Sequence, residues 1–372
     1  MGKTIKVLQI CSYYYGTKLY KNLMDNLIQN GVETLVYAPC SYSYNYDGTE
    51  PYIVQARCFG TWDRLIFHYK YKKVYNNIVN NINIKEYDLV HAHSLFANGY
   101  IAYRLHKEYG TPYIVAVRNT DINTFFKYFI YLRKLGVEIA KNANKIVLIS
   151  NSYKDKLLQY IPKEYKEEIE RKIIVIPNGI DEYFIKERRK ENKKIGNKLN
   201  LVYTGRVDKN KNVITTIKCC KKMIKENYDI TLNIIGDITS KRYKRILNKY
   251  SFIKYFGRKT KEEIIKIYKD MNIFVMPSKH ETFGLTYVEA MSQGLPVIYT
   301  KKEGVDGFFE SGKVGYPIKY NDYVDMSNKI KLIIQNYENI SENCIEEALN
   351  FNWRDIALRY IREYKDIIEG EK

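Results

Sequence analysis

Two glutamates flank a glycine in a short run in the last third of the chain. The run H-E-T-F-G-L-T-Y-V-E-A-M-S-Q-G-L-P-V-I covers residues 280–298 and contains Glu281, Gly284 and Glu289. We interpret HETFG as a loop and LTYVEAMSQ as a helix that ends at Gly294. Gly284 lets backbone N–H groups approach a ligand closely, and the positive end of the helix dipole favours an anion there.

The two carboxylates would contact other parts of the same ligand. Glu281 lies just outside the helix and would repel an anion, but it can accept hydrogen bonds from hydroxyl groups. Glu289 lies inside the helix and would reach hydroxyls on the far side of the phosphates. A ligand with hydroxyls on both sides of its phosphates is a sugar nucleotide. The alternative is an amphipathic helix with Leu285 and Val288 in the core, and both interpretations can hold because they use different positions.

A second loop places two cations after another predicted strand. It reads T-G-R-V-D-K-N-K-N at residues 204–212, where Gly205 permits a sharp turn before Arg206 and Lys211. A guanidinium binds two oxygens at once and an ammonium acts as a point charge, so the pair suits a diphosphate. In a chain this basic, the alternative is that both are ordinary surface cations.

The elements that must position these loops alternate along the whole chain. Short Val- and Ile-rich runs predict strands at 6–11, 32–39, 88–93, 111–117, 143–150 and 172–178. The stretches between them include predicted helices at 19–31 and 96–109. Such alternation is typical of a parallel sheet with helices on both faces.

A charged segment at residues 185–198, IKERRKENKKIGNK, has no apolar face and predicts an exposed linker. Beyond it we predict strands at 199–205, 230–236, 252–257, 272–277 and 295–300, then an amphipathic helix at 351–368. The fold class that we expect is α/β, with two Rossmann-like, doubly wound domains whose strand ends face a cleft. The expected domains are an N-terminal domain at 1–184, a C-terminal domain at 185–350, and a helix at 351–372 that returns to the N-terminal domain.

The composition favours a globular cytoplasmic protein. The chain has 372 residues, 45% of them hydrophobic, which suits two domains. No apolar stretch approaches the ~18 residues of a membrane-spanning helix, and the N-terminus lacks the features of a signal peptide. The six cysteines show no C-x-x-C spacing, which fits a reducing compartment. The formal net charge of +19 predicts attraction to polyanions, unless it reflects compositional drift.

Several motifs resemble those of glycosyltransferase family 4, whose members are retaining enzymes with the GT-B fold. E-T-F-G-L-T-Y-V-E resembles the E-x7-E motif of that family, and T-G-R-V-D-K-N-K-N resembles its diphosphate loop. LNIIGD, KYFGRKT, IVLISNSYKDKL, VIPNGID and the final helix with its Asn-Trp pair occur in the usual order of the family. The resemblance therefore spans nearly the whole chain.

The resemblance implies a role for each matching residue. Arg206 and Lys211 would hold the diphosphate leaving group, Glu281 the donor sugar, and Glu289 the ribose. The other donor contacts that it implies in this half of the chain are Gly205, Arg258, Lys259, Phe283, Gly284, Leu285 and Thr286. The family uses no metal and no cofactor besides the nucleoside-diphosphate sugar, and the chain has no D-x-D sequence. Arginine, lysine and the helix N-terminus would replace the divalent ion.

Two places depart from the family pattern. The first loop of the family often has two glycines, whereas SYYYGTKLY offers only Gly16 as a donor contact. Many members have His-Gly near the donor sugar, where this chain has Arg118 and Asn119, followed by a retained Thr-Asp pair. An arginine cannot act as a general base. The change leaves open which group contacts the sugar hydroxyls and whether the donor sugar carries a carboxylate.

Two further stretches have alternative interpretations. His91 and His93 would point to one face of a strand, as metal ligands sometimes do, but no third ligand is near, so we favour a strand end at the floor of the cleft and no metal site. The stretch WDRLIFHYKYKKVY at 62–75 mixes aromatic residues with cations. It suits an anionic membrane surface, but equally a helix with its aromatics in the core. The Tyr-rich loops around 12–20 and 41–47 are expected to select the acceptor.

We expect metal-independent, retaining transfer of a hexose-type sugar from a UDP- or GDP-sugar to a glycan or polyprenyl-linked acceptor. The product would be a surface polysaccharide or glycolipid, and the enzyme would be cytoplasmic or peripheral at the inner membrane face. One alternative is a sugar-nucleotide epimerase of the same fold. Another is a nucleic-acid-binding protein, which would leave the ordered motifs unexplained, so no nucleic-acid partner is expected. The chain has no G-x-G sequence, which disfavours a dinucleotide-dependent dehydrogenase.

Overall fold

A computed structural model describes residues 4–44, 50–191 and 193–370. The chain forms two compact units. The first unit contains the described residues up to 149, residues 153–177 and the residues from 353 onward, and the second contains residues 150–152 and 178–352. The chain thus changes unit at 177–178, a little before the expected domain boundary at 184–185.

Seven parallel strands form the sheet of the first unit, in the order β3-β2-β1-β4-β5-β6-β7. They are β1 Lys6–Ile10, β2 Glu33–Ser41, β3 Ile53–Phe59, β4 Leu89–Ala92, β5 Tyr113–Val117, β6 Lys145–Leu148 and β7 Ile173–Val175. The six strands predicted for this half are confirmed. Strand β3 was not predicted, because an edge strand that pairs only with β2 does not need a continuous apolar run.

The helices of the first unit lie between these strands, except for the last one. They are α1 Lys18–Gln29, α2 Phe67–Asn81, α3 Gly99–Tyr109, α4 Arg133–Asn142, α5 Ser152–Leu158 and α6 Lys163–Lys172, and the C-terminal helix, which we number α14, is Trp353–Gly370. Short 3₁₀ turns cover Tyr14–Gly16, Trp62–Leu65, Ile84–Glu86 and Ile130–Leu132, and a π-helical turn covers Asp121–Phe126.

Helix α14 packs on the sheet of the first unit beside α1. Its apolar face, which includes Trp353, Ile356 and Tyr364, joins a core that also contains Val7 and Ile114 from the sheet. The helix therefore returns to the first unit, as predicted. Burial of this face, rather than helix propensity alone, explains why the helix is stable there.

Six parallel strands form the sheet of the second unit, in the order β10-β9-β8-β11-β12-β13. They are β8 Lys198–Thr204, β9 Asp229–Ile235, β10 Ile253–Gly257, β11 Ile273–Val275, β12 Val297–Thr300 and β13 Gly315–Ile318. The five predicted strands are confirmed. The edge strand β13 was missed because Pro317 argues against a strand, although an edge position tolerates it.

Helices cover this sheet as well. They are α7 Glu182–Lys186, α8 Val213–Lys225, α9 Lys241–Leu247, α10 Lys261–Tyr268, α11 Leu285–Met291, α12 Tyr323–Gln335 and α13 Tyr337–Ala348, with a 3₁₀ turn at Leu349–Phe351. Among the described residues, no helix is both long and apolar enough to cross a bilayer.

The predicted linker is irregular and mostly exposed after α7, but Lys193 is an exception. Lys193 is buried, and its Nζ donates a 2.9 Å hydrogen bond to the carbonyl oxygen of Tyr268. Burial lowers the pKa of this lysine to about 7. One residue of the segment, 192, lies outside the described residues, as do residues 45–47 of the loop expected to select the acceptor.

In each sheet the order of strands reverses beside the first strand, between β1 and β4 and between β8 and β11. The loops that follow the two strands at such a reversal run to opposite faces of the sheet and leave a crevice at the carboxyl ends of the strands. Proteins of this architecture bind their ligands in that crevice. In the first unit, Asn98 spans the two loops. Its Oδ1 accepts hydrogen bonds from the backbone N (3.2 Å) and Oγ (2.5 Å) of Ser12.

Candidate functional site

Two loops that follow the neighbouring strands β8 and β11 form one surface in the second unit. The loop after β8 contains Asn210, and the loop after β11 contains Lys279 and His280. The carbonyl oxygen of Asn210 accepts a bond from the backbone N of Lys279 at 2.7 Å. The Asn210 side chain bonds both backbone groups of His280, at 2.9 and 3.2 Å. These bonds fix the spacing between the two loops.

An ion pair between Lys211 and Glu281 joins the same two loops. The Lys211 Nζ donates to Glu281 Oε2, which also accepts from the Ser278 hydroxyl at 3.3 Å. The two paired side chains are only 20% and 13% exposed. Asp208 fixes the backbone of Lys211, because its Oδ1 accepts a 2.8 Å hydrogen bond from the backbone N of Lys211. An ammonium has three donors, so Lys211 can bind an anion while it stays paired with Glu281.

Arg206 is far more exposed than Lys211. Its side chain is 72% exposed, and its Nε lies 3.7 Å from the Asp208 carboxylate. Its backbone is fixed, because the carbonyl oxygen accepts a 2.8 Å bond from the Tyr203 hydroxyl. The guanidinium can therefore move towards a ligand while the backbone that carries it stays fixed.

Helix α11 begins at Leu285 and ends two residues before the end that the sequence predicted. Gly284 precedes it with a φ of +85°, and a Cβ there would lie 2.5 Å from the Tyr287 ring. Both facts require glycine at the helix start. Leu285 and Thr286 form the first turn. Phe283 is buried against Phe308, with ring centroids 5.5 Å apart, so only its backbone can face a ligand.

Glu289 is a partly buried carboxylate that accepts no hydrogen bond from any described side chain. Burial raises its pKa to about 7, and the nearby Asp181 carboxylate acts in the same direction. Asp181 itself is held by Lys261, whose Nζ lies 2.9 Å from both of its oxygens. Glu289 thus keeps its full capacity to accept hydrogen bonds from a ligand.

The loops after β9 and β10 extend this surface. A Cβ at Gly236 would lie 2.2 Å from the carbonyl oxygen of Gly205, so these two backbones meet at a distance that only glycine allows. Arg258, after β10, is exposed. The neighbouring Lys259 instead pairs with Glu263 at 2.8 Å. These two predicted donor contacts therefore differ: Lys259 is held in an ion pair, whereas Arg258 has no ion-pair partner among the described residues.

The sequence did not single out the turn after β12, which supports Glu281 from behind. The Glu303 carboxylate accepts a 2.9 Å bond from the backbone N of Glu281. The Gly304 N–H donates to the Glu281 carbonyl oxygen, also at 2.9 Å. A Glu-Gly pair that follows the buried run LPVIYT was the signal available for this turn.

Three of the predicted donor contacts belong to the first unit, and the others lie in the second. Gly16 is exposed, its φ is not positive, and a Cβ there would contact nothing within 4 Å, so its conformation does not require glycine. Arg118 is anchored by its backbone N to Asp121 (2.8 Å) and by its Nε to the His93 carbonyl oxygen (3.1 Å). Asn119 is exposed.

His91 and His93 of strand β4 and the loop after it are buried core residues. The rings of His91 and His93 stack with centroids 4.1 Å apart. His91 Nδ1 lies 2.7 Å from the Tyr364 hydroxyl, and His93 Nε2 lies 2.8 Å from Gln9 Oε1. Burial lowers the pKa of both rings, that of His91 to about 3. Within residues 4–44, 50–191 and 193–370, no three His, Cys, Asp or Glu side chains are placed to share a metal ion.

Both halves of the chain match known protein families. Residues 17–183 match the family described as Glycosyltransferase Family 4, and residues 184–351 match Glycosyl transferases group 1. An uncharacterized glycosyltransferase of Methanocaldococcus jannaschii is 26% identical over 303 residues, which cover 79% of each chain. The capsular polysaccharide biosynthesis glycosyltransferase CapM of Staphylococcus aureus is 28% identical over 259 residues, 65% of this chain and 64% of its own length.

Two solved structures have a similar fold along almost the whole chain. Sucrose-phosphate synthase from Thermosynechococcus elongatus superposes with a TM-score of 0.75 at 16% identity, over 98% of this chain and 100% of that one. HepE of Anabaena in complex with UDP-glucose gives 0.65 at 16% identity, over 97% of this chain and 100% of that one. The two parallel sheets and the two family matches lead to one conclusion: the chain belongs to glycosyltransferase family 4 and has the GT-B fold.

Proposed function

We propose that this glycosyltransferase moves a hexose from a UDP- or GDP-sugar to a hydroxyl group of a glycan or lipid-linked acceptor, with retention and without a metal ion. The observation that carries the proposal is the Lys211–Glu281 ion pair. It places a cation, which can bind phosphate oxygens, beside a carboxylate, which can accept hydrogen bonds from sugar hydroxyls. HepE is complexed with UDP-glucose, which supports a nucleotide-sugar donor. The name of the Staphylococcus aureus relative supports a role in surface polysaccharide synthesis.

In this proposal the donor lies along the loops after β8 and β11. Lys211 keeps its bond to Glu281 and donates its remaining protons to the diphosphate, and Arg206 swings in to bind the same group. Glu281 accepts a bond from a sugar hydroxyl, and the backbone from Phe283 to Thr286 approaches the sugar and phosphates. Glu289 accepts bonds from the ribose, and Arg258 contacts the base.

The chemical step needs no protein nucleophile. The bond between the anomeric carbon and the diphosphate oxygen breaks, and its electron pair stays with the diphosphate. The acceptor oxygen bonds to the anomeric carbon on the same face, and its proton passes to the departing phosphate oxygen. Lys211 and Arg206 stabilise the charge that develops on the diphosphate. An epimerase, the alternative, would convert the donor sugar with no acceptor present.

We expect Lys211→Ala to lower kcat/KM for the donor by about 10²–10³, because the charge that develops in the transition state loses a fixed cation. The donor is first identified by thermal shift with UDP-, GDP-, ADP- and dTDP-sugars. A sugar nucleotide at about 100 times its Kd should stabilise the protein by ~2.7 kcal/mol.

Lys209→Ala is the matched control, because it removes one lysine from the same loop at an exposed position that has no assigned role. This variant should retain the activity of the natural enzyme. Near-normal activity of Lys211→Ala, or an equal loss in both variants, would contradict the assignment of Lys211 to the leaving group.

Donor affinity should rise as the pH increases through about 7, the pKa of Glu289 in the free protein. Ribose hydroxyls donate to the ionised carboxylate, so binding lowers its pKa and releases a proton below pH 7. The expected gain in affinity between pH 6 and pH 8 is about tenfold. A nucleoside-diphosphate sugar is the ligand to titrate, because its diester phosphates do not change charge in this range. Glu289→Gln should bind more weakly, with a flat pH profile; an unchanged slope in this variant would refute the ribose assignment.

We also propose that the enzyme works in the cytoplasm, where nucleotide sugars would be its donors, and that it docks there on an anionic membrane through an exposed apolar surface of the first unit. Among the described residues, eight large hydrophobic side chains are more than half exposed, and seven of these lie in residues 62–69 and 128–131. They are Trp62, Leu65, Ile66, Tyr69, Tyr128, Ile130 and Tyr131. We call this set the apolar face. The two segments adjoin through Phe125, whose ring centroid lies 6.0 Å from Phe67 and 5.5 Å from Phe129.

The charges around the apolar face favour a membrane over a second copy of the chain. The exposed cations Arg64, Lys127 and Lys134 accompany it. The one carboxylate in these segments, that of Asp63, is paired with Lys73 at 2.8 Å. A symmetric dimer through this face would set cations against cations. Aromatic side chains with lysine and arginine suit the anionic membrane interface.

Leu65→Ser/Ile66→Ser should reduce sedimentation with anionic vesicles by roughly tenfold, because two apolar side chains no longer insert. Binding of the natural protein should fall as salt rises. The control Val324→Ser/Leu332→Ser changes two exposed apolar residues of the second unit and should bind like the natural protein. Vesicle binding that neither salt nor the Leu65/Ile66 change reduces would refute the proposal.

A further inference from the structure

A cavity of about 400 Å³ opens in the first unit at the carboxyl ends of the strands. Ser12, after β1, and Ala97, after β4, line it, so it lies at the point where the order of strands reverses. Five aromatic residues line it: Tyr13, Tyr15, Tyr44, Phe59 and Tyr71. A cavity of this size holds a small ligand such as one sugar with a substituent.

Two cations enter this aromatic cavity. The Lys70 Nζ lies 4.2 Å from the centroid of the Phe59 ring and 4.8 Å from that of Tyr71. The Arg64 guanidinium carbon lies 5.8 Å from the same Phe59 ring. Both side chains line the cavity, and no described carboxylate does.

The nearest carboxylate in sequence is already engaged elsewhere. Asp63 Oδ2 accepts a 2.7 Å bond from the backbone N of Gly60 and a 2.8 Å bond from Lys73 Nζ. Among the described residues, the Lys70 ammonium has the Tyr71 hydroxyl as its one hydrogen-bond partner, at 3.4 Å. The cavity therefore holds two positive charges with no counter-charge among its described residues.

An unpaired, partly buried ammonium is costly, because burial disfavours its charged form. Burial lowers the pKa of Lys70 to about 8, and the Arg64 charge acts in the same direction. A bound anion would reverse both effects, whereas a neutral ligand would reverse neither. Ring faces stack on the C–H face of a sugar or on an apolar chain, so an anionic group joined to either suits the whole cavity.

We propose that this cavity is the acceptor site, and that it takes an acceptor with a phosphate or diphosphate group next to a sugar or a prenyl chain. The inference rests on the proposed glycosyltransferase function, since it names the second substrate of that reaction. Lys70 and Arg64 bind the phosphate oxygens, and the tyrosines contact the sugar or the chain. Arg64 also belongs to the segment that carries Trp62 and Leu65 of the apolar face, so a lipid-linked phosphate would reach the cavity directly from a membrane.

The test measures binding of three probes to the full chain by calorimetry, without donor. Glucose 1-phosphate and methyl α-glucoside differ chiefly in the anionic group, and farnesyl diphosphate represents the lipid-linked source. Glucose 1-phosphate should bind at least about tenfold more tightly than methyl α-glucoside, since charge-assisted hydrogen bonds form only with the phosphate. Tighter binding of farnesyl diphosphate than of glucose 1-phosphate assigns the lipid-linked source, and the reverse order assigns a soluble sugar phosphate.

Lys70→Gln and Arg64→Gln should each weaken binding of the phosphate probes about tenfold and leave methyl α-glucoside unchanged. Lys70→Arg keeps the charge and should restore the affinity. Lys107→Gln is the matched control, because Lys107 is an exposed lysine of the same unit that also lies over a tyrosine ring, 5.6 Å from the centroid of Tyr103, but outside the cavity.

Lys211→Ala separates this proposal from the donor site. It should leave the binding of the phosphate probes unchanged, and Lys70→Gln should leave nucleotide-sugar binding unchanged. Loss of glucose 1-phosphate binding in Lys211→Ala but not in Lys70→Gln would overturn the proposal, as would equal affinities for the phosphate and the neutral probe. Failure of nucleotide-sugar binding alone would refute the donor site and leave the cavity result standing.

Discussion

The ion pair between Lys211 and Glu281 is the interaction on which the candidate donor site depends. It joins residues that are 70 positions apart in sequence and lie in loops after two neighbouring strands, β8 and β11. Both side chains are mostly buried, so removal of either partner would leave a poorly solvated charge. The surrounding bonds of Asp208, Asn210 and Glu303 serve to hold this pair in place. A diphosphate that binds here meets a cation whose position is set before the ligand arrives, which is the condition for strong electrostatic stabilisation.

The two units share the reversal of strand order beside the first strand, but the charged residues at that point differ. In each sheet the order of strands reverses beside the first strand, where neighbouring loops diverge and ligands of this architecture bind. In the second unit the cations at this point share the loops with Glu281, which suits a ligand with both phosphates and hydroxyls. In the first unit no carboxylate accompanies Lys70 and Arg64 among the described residues that line the cavity, and tyrosines lie there instead. The overall charge of +19 would not have distinguished these two environments, because only the local pairing of each cation does so.

Much of the architecture could be predicted from the sequence, because buried parallel strands leave a strong apolar pattern. The strands that were missed, β3 and β13, lie at sheet edges, where one partner strand suffices and residues such as Arg57 and Pro317 are tolerated. The motif residues of the second unit were also placed correctly on the loops after β8 and β11 and on α11. The bond between Lys211 and Glu281 was not predicted, since it depends on how two distant loops meet. Tertiary packing also determines three features that were not predicted. They are the burial of Lys193, the hydrogen bond that Glu303 accepts from the Glu281 backbone, and the exposure of Ile130.

We propose that Lys211 acts on the diphosphate and not on the nucleoside. Calorimetry at constant salt can test this by comparing the affinities of a nucleoside diphosphate and of the corresponding nucleoside for the natural protein and for Lys211→Met. The variant should bind the diphosphate at least about tenfold more weakly, which corresponds to one lost charge-assisted hydrogen bond, and should bind the nucleoside with unchanged affinity. An equal loss for both ligands, or no loss for either, would contradict this proposal.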